Sequence, residues 1–128
     1  MAYKINQEIT PFQIEVDKYR PCYYAGASGD FNPIHIDNDF AKAVGLGGVI
    51  LHGLCTMAYV YRAVMNNKDP EKLKKIKARF KGMVRPNDKL TVSGKVTAIE
   101  NNLATIDLLA TNQKNEHIIT NACAAIEI

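Results

Sequence analysis

The second half of the chain alternates between apolar and polar residues, and the first half does not. In "KIKARF" and "LTVSGKVTAI" the period is close to two, the pattern of an antiparallel strand with one buried face. Four strands are predicted on this basis, within "KLKKIKARFKGMV", "DKLTVSGKVTAIE", "NNLATIDLLATNQ" and "HIITNACAAIEI". Turn signals at Pro86-Asn87-Asp88, Asn101-Asn102 and Asn112–Asn115 separate them. Residues 8–16, "EITPFQIEV", add a first strand that Pro11 pushes to a sheet edge.

Helical signals lie between that strand and the others. Residues 17–27, "DKYRPCYYAGA", predict a short helix capped by Asp17, with Pro21 tolerated only in its first turn. "DNDFAKAVGLGG" predicts another, with Asp37 or Asn38 as N-cap and the Gly45–Gly48 cluster as its stop. "GLCTMAYVYRAVM", residues 53–65, is apolar on nearly every face and carries its first charge at Arg62. Such a helix is a buried one, and at this length it does not span a membrane. One long buried helix followed by a run of antiparallel strands makes an α+β layer, the sheet wrapped round the helix. One side of one small sheet does not cover so apolar a helix, so a second sheet from a partner subunit is expected.

Composition narrows the class without naming a function. A chain of 128 residues, with no repeats, low-complexity tracts or linkers, reads as one domain over residues 1–128. The amino-terminal "MAYKINQEIT" is polar where a signal peptide needs an apolar run, so a cytoplasmic protein with no membrane association is expected. Cys22, Cys55 and Cys123 are widely spaced and form no C-x-x-C pair, which argues against a zinc cluster or a disulfide framework. All three read as buried small hydrophobes, and no metal is expected. The net charge of +3 does not suggest nucleic acid. Its distribution says more, because "EKLKKIKARFKGMVR" concentrates the positive charge in a strip that is either a solvated face or a seat for an anionic, phosphate-bearing ligand.

Candidate chemistry sits where the helical pattern breaks, in "YAGASGDFNPIH". Asp30 and His35 are five residues apart, and Pro33 stops any helix from running between them. Gly29 permits a tight turn, Asn32 can cap local backbone groups, and Pro33 fixes φ. Taken singly, Asp30 reads as an N-cap and His35 as a satisfied surface histidine. Taken together on one built loop, a carboxylate and an imidazole can share a water and act as a paired acid and base near neutral pH. In "VILHGLCTMAYVY", Gly53 opens the long helix, where unpaired N–H groups carry the positive end of the dipole. A glycine there serves either the turn into the helix or the close approach of a ligand carbonyl to its N–H. The adjacent His52 reads as packing over the helix start.

These segments resemble the MaoC-like hydratases, the (R)-specific enoyl-CoA hydratases also called hydratase 2. "YAGASGDFNPIH" matches that family's signature, and "ILHGLCTMA" and "KIKARFKGMVRPND" are similar to the segments that follow it. The resemblance runs from about Tyr19 to Asp88 by motif and continues to the end as strand pattern. It implies a hotdog fold, homodimers or multiples of them, and reversible syn addition of water to trans-2-enoyl-CoA, giving an (R)-3-hydroxyacyl-CoA. It places the catalytic pair on Asp30 and His35, a supporting asparagine on Asn32 and the thioester-carbonyl N–H donor on Gly53. His35 then takes the proton from the attacking water while Asp30 helps deliver one to the α-carbon. No cofactor is implied beyond the coenzyme A of the substrate. Lys75, Lys77, Arg79 and Lys81 become candidates for its phosphates, within the chain or across a dimer.

One departure stands out. Many relatives carry a proline shortly before I-L-H-G where this chain has Gly47-Gly48-Val49, which leaves the loop freer and the acyl length open. Whether the carrier is coenzyme A or acyl carrier protein is open too. Two other readings compete: a hotdog thioesterase, whose usual site is arranged differently, and a non-catalytic partner subunit or acyl-CoA-binding module. Partner subunits commonly lose the loop pair, whereas Asp30, Asn32, His35 and Gly53 are all present here.

Overall fold

Five strands and three α-helices follow one another in the computed structural model, which describes residues 3–128. Met1 and Ala2, part of the polar amino-terminal stretch, lie outside the described residues. The strands are β1 (Phe12–Glu15), β2 (Leu73–Phe80), β3 (Lys89–Glu100), β4 (Leu103–Thr111) and β5 (His117–Glu127). They form one antiparallel sheet in the order β1-β3-β4-β5-β2. The alternation read from the sequence becomes the two faces of this sheet. Val92, Val96, Ile106, Leu108, Ala124 and Ile126 point inward and pack around the long helix α3 (Gly53–Met65). This is the α+β hotdog arrangement that the resemblance implies.

Local chemistry sets the boundaries. β1 is shorter than residues 8–16: Pro11 precedes it, and Glu8 makes only an isolated bridge to Lys95. It lies at the sheet edge, where a missing donor costs least. Asn101 and Asn102 both take positive φ, +50° and +65°, and close the β3–β4 hairpin as a two-residue turn suited to strand twist. The helix α1 (Arg20–Ser28) begins later than expected, because Asp17 Oδ1 accepts the Tyr19 N–H before the helix starts, and Pro21 sits in its first turn. In α2 (Asn38–Ala43) the N-cap is Asp37, whose carboxylate accepts the N–H groups of Asp39 and Phe40.

The long helix spans the residues expected of it but is not buried all round. Cys55, Tyr59, Val60, Ala63 and Val64 face the sheet, whereas Leu54 is 66% exposed. No described helix is long and apolar enough to cross a membrane. The cysteine reading needs correcting at two positions: Cys55 is buried, but Cys123 is only half-buried and Cys22 is exposed, because α1 turns Pro21 and Ala25 inward and leaves Cys22 on its open side.

Helix α3 carries a polar misfit into the core. The Tyr59 hydroxyl is buried without a hydrogen-bond partner, and burial pushes its pKa up to about 12 from an ordinary 10. The folded state therefore holds the phenol's proton more tightly than the unfolded chain does. Its contribution to stability is fully present below pH 10 and is lost as pH rises towards 12. Tyr59→Phe removes the orphaned hydroxyl and should leave the fold as stable or about 1 kcal/mol more stable at neutral pH. Thermal melts from pH 8 to 11 check this: the wild type should lose more stability than the variant above pH 10.

Candidate active site

Asp30, Asn32 and His35 stand on a loop whose hydrogen bonds fix it almost residue by residue. Gly29, at φ +79°, ends α1 in the left-handed conformation that glycine tolerates. Ser28 Oγ donates to the Tyr24 carbonyl at 2.7 Å and accepts the Asp30 N–H at 3.1 Å. Asp30 Oδ1 accepts the Asn32 N–H and Asn32 Oδ1 accepts the Ile34 N–H, each at 3.2 Å. Pro33 then starts a 3-10 turn, Pro33–His35. Asn32 thus shapes the loop through its side-chain oxygen.

The loop uses one carboxylate oxygen and leaves the other free. Asp30 Oδ2 lies 3.9 Å from His35 Nε2. His35 is 7% exposed, and its Nδ1 contacts the Ile50 carbonyl at 2.8 Å. A carbonyl only accepts, so Nδ1 carries the hydrogen and Nε2 of the neutral ring presents a lone pair towards Asp30. Two acceptors face each other across a gap too long for a direct hydrogen bond and suited to a water that donates to both. The Asp30 side chain is 54% exposed, so this gap is open to a ligand.

His52 ties the parts together. Buried at 3% exposure, it stacks on His35 with ring centroids 3.7 Å apart and planes inclined by 22°. Its Nε2–H donates to the Asp30 carbonyl at 3.0 Å, and Tyr24 packs 4.7 Å away, centroid to centroid. Asp30, His35 and His52 offer donor atoms within 4.8 Å of one another, but the two rings stack rather than fan round a point where an ion would sit.

Gly53 follows His52 and opens α3. No side chain caps this helix and no acidic residue stands in its first turn, so its first N–H groups point outward uncompensated. The backbone does not demand glycine here. Its φ is not positive, and the nearest atoms an added Cβ would meet are those of the Phe80 ring, at 3.4 Å.

A cleft of about 500 Å³ runs up to His35, walled by Tyr19, Ile36, Asn38, the Gly47–Val49 segment and Arg85. Lys18 and Arg85 are the cations lining it. The four basic candidates lie elsewhere. Ile76 and Ala78 pack on the core and Phe80 lies on Gly53, so Lys75, Lys77 and Arg79 project from the outer face of β2, with Lys81 exposed just beyond it. Lys72 and Lys74 pair with Glu127, while those four form no ion pair among the described residues. The structure therefore brings Asp30, Asn32 and His35 together, sets Gly53 next in the chain to the His52 that contacts Asp30 and His35, and leaves the basic strip on the far face of the same protomer.

The family described as MaoC like domain matches residues 4–118. The chain belongs to it. It is similar to the fatty acid synthase beta subunit hexB of Dothistroma septosporum, 37% identical over 81% of this chain and 6% of that one. A probable enoyl-CoA hydratase 2 of Dictyostelium discoideum is 36% identical over 81% of this chain and 35% of its own length. The chain thus spans about a third or less of these two relatives. Among solved structures, the (R)-hydratase from A. caviae involved in PHA biosynthesis superimposes with a TM-score of 0.84 at 20% identity, covering 99% of this chain and 98% of that one. That likeness is one of fold.

Within this MaoC-like chain, two contributions to the site escape sequence reading. His52 acts on Asp30 across 22 residues, and Arg85 reaches its partners across 37 and 39. No local spacing encodes such contacts. The available signal for His52 is its place beside the glycine that opens the helix.

Proposed function

We propose that the chain is a hydro-lyase that adds water reversibly, on one face, to a trans-2-enoyl thioester and yields the (R)-3-hydroxyacyl thioester. The observation that carries this is the 3.9 Å gap between Asp30 Oδ2 and the His35 Nε2 lone pair, on a loop that fixes both. A water held there has one proton directed at each acceptor and its oxygen free to attack the β-carbon. His35 takes the water's proton as the C–O bond forms, and Asp30 helps deliver a proton to the α-carbon. The imidazolium proton then returns to the new hydroxyl as that hydroxyl's own hydrogen passes to Asp30 Oδ2 and on to the α-carbon, so the pair ends each turnover as it began. Negative charge building on the thioester oxygen is met by the Gly53 N–H at the helix start. None of these steps calls for a metal or redox cofactor, and coenzyme A enters as part of the substrate.

The thioesterase alternative is the weaker one, since the loop that carries Asp30, Asn32 and His35 matches the hydratase signature and is not the usual thioesterase arrangement. Retention of the pair also argues against a non-catalytic partner subunit. A second copy of this one hotdog unit is the proposed partner. Leu54, Phe80 and Met83 are exposed apolar residues near the start of α3, and a paired sheet would cover them. Phosphate binding by Lys75, Lys77, Arg79 and Lys81 then concerns the site of the second copy. The test is loss of enoyl absorbance on adding crotonyl-CoA, with chiral analysis of the product. An (R) product supports the reading, and no turnover with short or long enoyl chains contradicts it.

A further inference from the structure

The cleft wall beside His35 is built from a segment that should be loose, and the structure shows what holds it. Between α2 and Ile50 the chain passes through Gly45, Gly47 and Gly48 at φ +88°, +78° and +151°. No strand pairs with it. Gly45 and Leu46 donate their N–H groups back to the Lys42 and Ala41 carbonyls of α2, at 3.0 and 2.9 Å, and beyond them two side chains reach the segment. Asn38 Oδ1 accepts the Val49 N–H at 3.0 Å. The Arg85 guanidinium donates to the Leu46 carbonyl through Nη2 and to the Gly48 carbonyl through Nη1, the latter at 3.3 Å. Arg85 is itself anchored, because its N–H donates to Asp88 Oδ2 at 2.9 Å and its carbonyl accepts the Asp88 N–H at 3.1 Å, in the turn between β2 and β3.

We propose that Arg85 is a positioning residue for substrate binding: its forked contact latches the glycine loop and sets the cleft that receives the thioester next to His35. This rests on the hydratase reading for the identity of the ligand. A guanidinium is suited to the task because its planar fork holds two N–H donors in fixed directions, one to each carbonyl, whereas a lysine ammonium is a single point on a flexible stem. The catalytic pair is secured separately. Ile50, whose carbonyl holds His35 Nδ1, is fixed by the Ile34 carbonyl at 3.1 Å, and Leu51 by the Val84 carbonyl at 2.7 Å. Losing the latch should therefore loosen residues 45–49 and weaken binding while leaving the chemical step intact.

The experiment uses full-length protein, wild type beside Arg85→Ala and Arg85→Lys, with two readouts. Hydrogen exchange should speed up over residues 45–49 in both variants and stay unchanged over α3 and the sheet. The Kd of butyryl-CoA, a saturated thioester that cannot be hydrated, should rise about tenfold in both. With crotonyl-CoA, KM should follow Kd, and kcat should stay within about twofold of wild type. Unchanged exchange in Arg85→Ala would overturn the latch. Binding restored by Arg85→Lys while the loop stays loose would overturn it as well, because the charge alone would then account for affinity. Failure of wild type to bind butyryl-CoA would overturn the assignment of the cleft to the thioester. Arg85-dependent binding without hydration of any enoyl thioester would instead count against the hydratase reading and leave the latch standing.

Discussion

Asp30→Asn should lower kcat for crotonyl-CoA about a thousandfold, the scale of a lost acid–base partner, with little change in stability. The substitution is nearly isosteric. An asparagine oxygen can still accept the Asn32 N–H that Asp30 Oδ1 holds at 3.2 Å, so the loop keeps its shape while losing the charge opposite His35. His35→Ala should lose as much activity, but less cleanly. It also vacates a buried site and deprives the Ile50 carbonyl of its donor, so some stability goes with it. The double variant should be scarcely slower than either single one, because in the proposed mechanism the two groups act on one water as a unit. Steady-state kinetics beside thermal melts check all three. Activity within tenfold of wild type in a folded Asp30→Asn would sink the pair's assignment.

A second large effect is expected at Gly53. In the protein alone, an alanine methyl there would sit 3.4 Å from the Phe80 ring, a contact that small adjustments accommodate. Alanine is also the better helix former, so Gly53→Ala should melt at or above the wild-type temperature. If the Gly53 N–H serves the thioester oxygen, the methyl stands where the ligand must approach. The kcat should then fall about a hundredfold, the order seen when an oxyanion donor is compromised. Stability kept and activity lost is the pattern that separates a ligand-facing glycine from one needed for the turn. An active Gly53→Ala would return the residue to that structural role.

How far the chain could be read depended on whether information was local. Helix α3 was legible to both ends, because a glycine opens it and Asn66, at φ +41°, closes it. The β3–β4 hairpin was legible from Asn101-Asn102. Asp30, Asn32 and His35 were legible because they share one loop whose shape Gly29 and Pro33 dictate. The start of α1 was not, since Asp17 spends its carboxylate on the N–H two residues on. The basic residues were visible, but their direction depends on strand phase, and phase became readable only once Ile76 and Ala78 were seen on the core. His52 and Arg85 were out of reach for a simpler reason: their contacts join segments that only the fold brings together.

The most direct test of the water-sharing pair is hydration of crotonyl-CoA in heavy water, with the product's configuration at both carbons read by NMR. A single water between Asp30 and His35 delivers hydroxyl to the β-carbon and deuterium to the α-carbon on the same face. The account predicts an (R)-3-hydroxybutyryl product carrying one deuterium syn to the new hydroxyl. An anti product, or deuterium scrambled over both faces of the α-carbon, would contradict it.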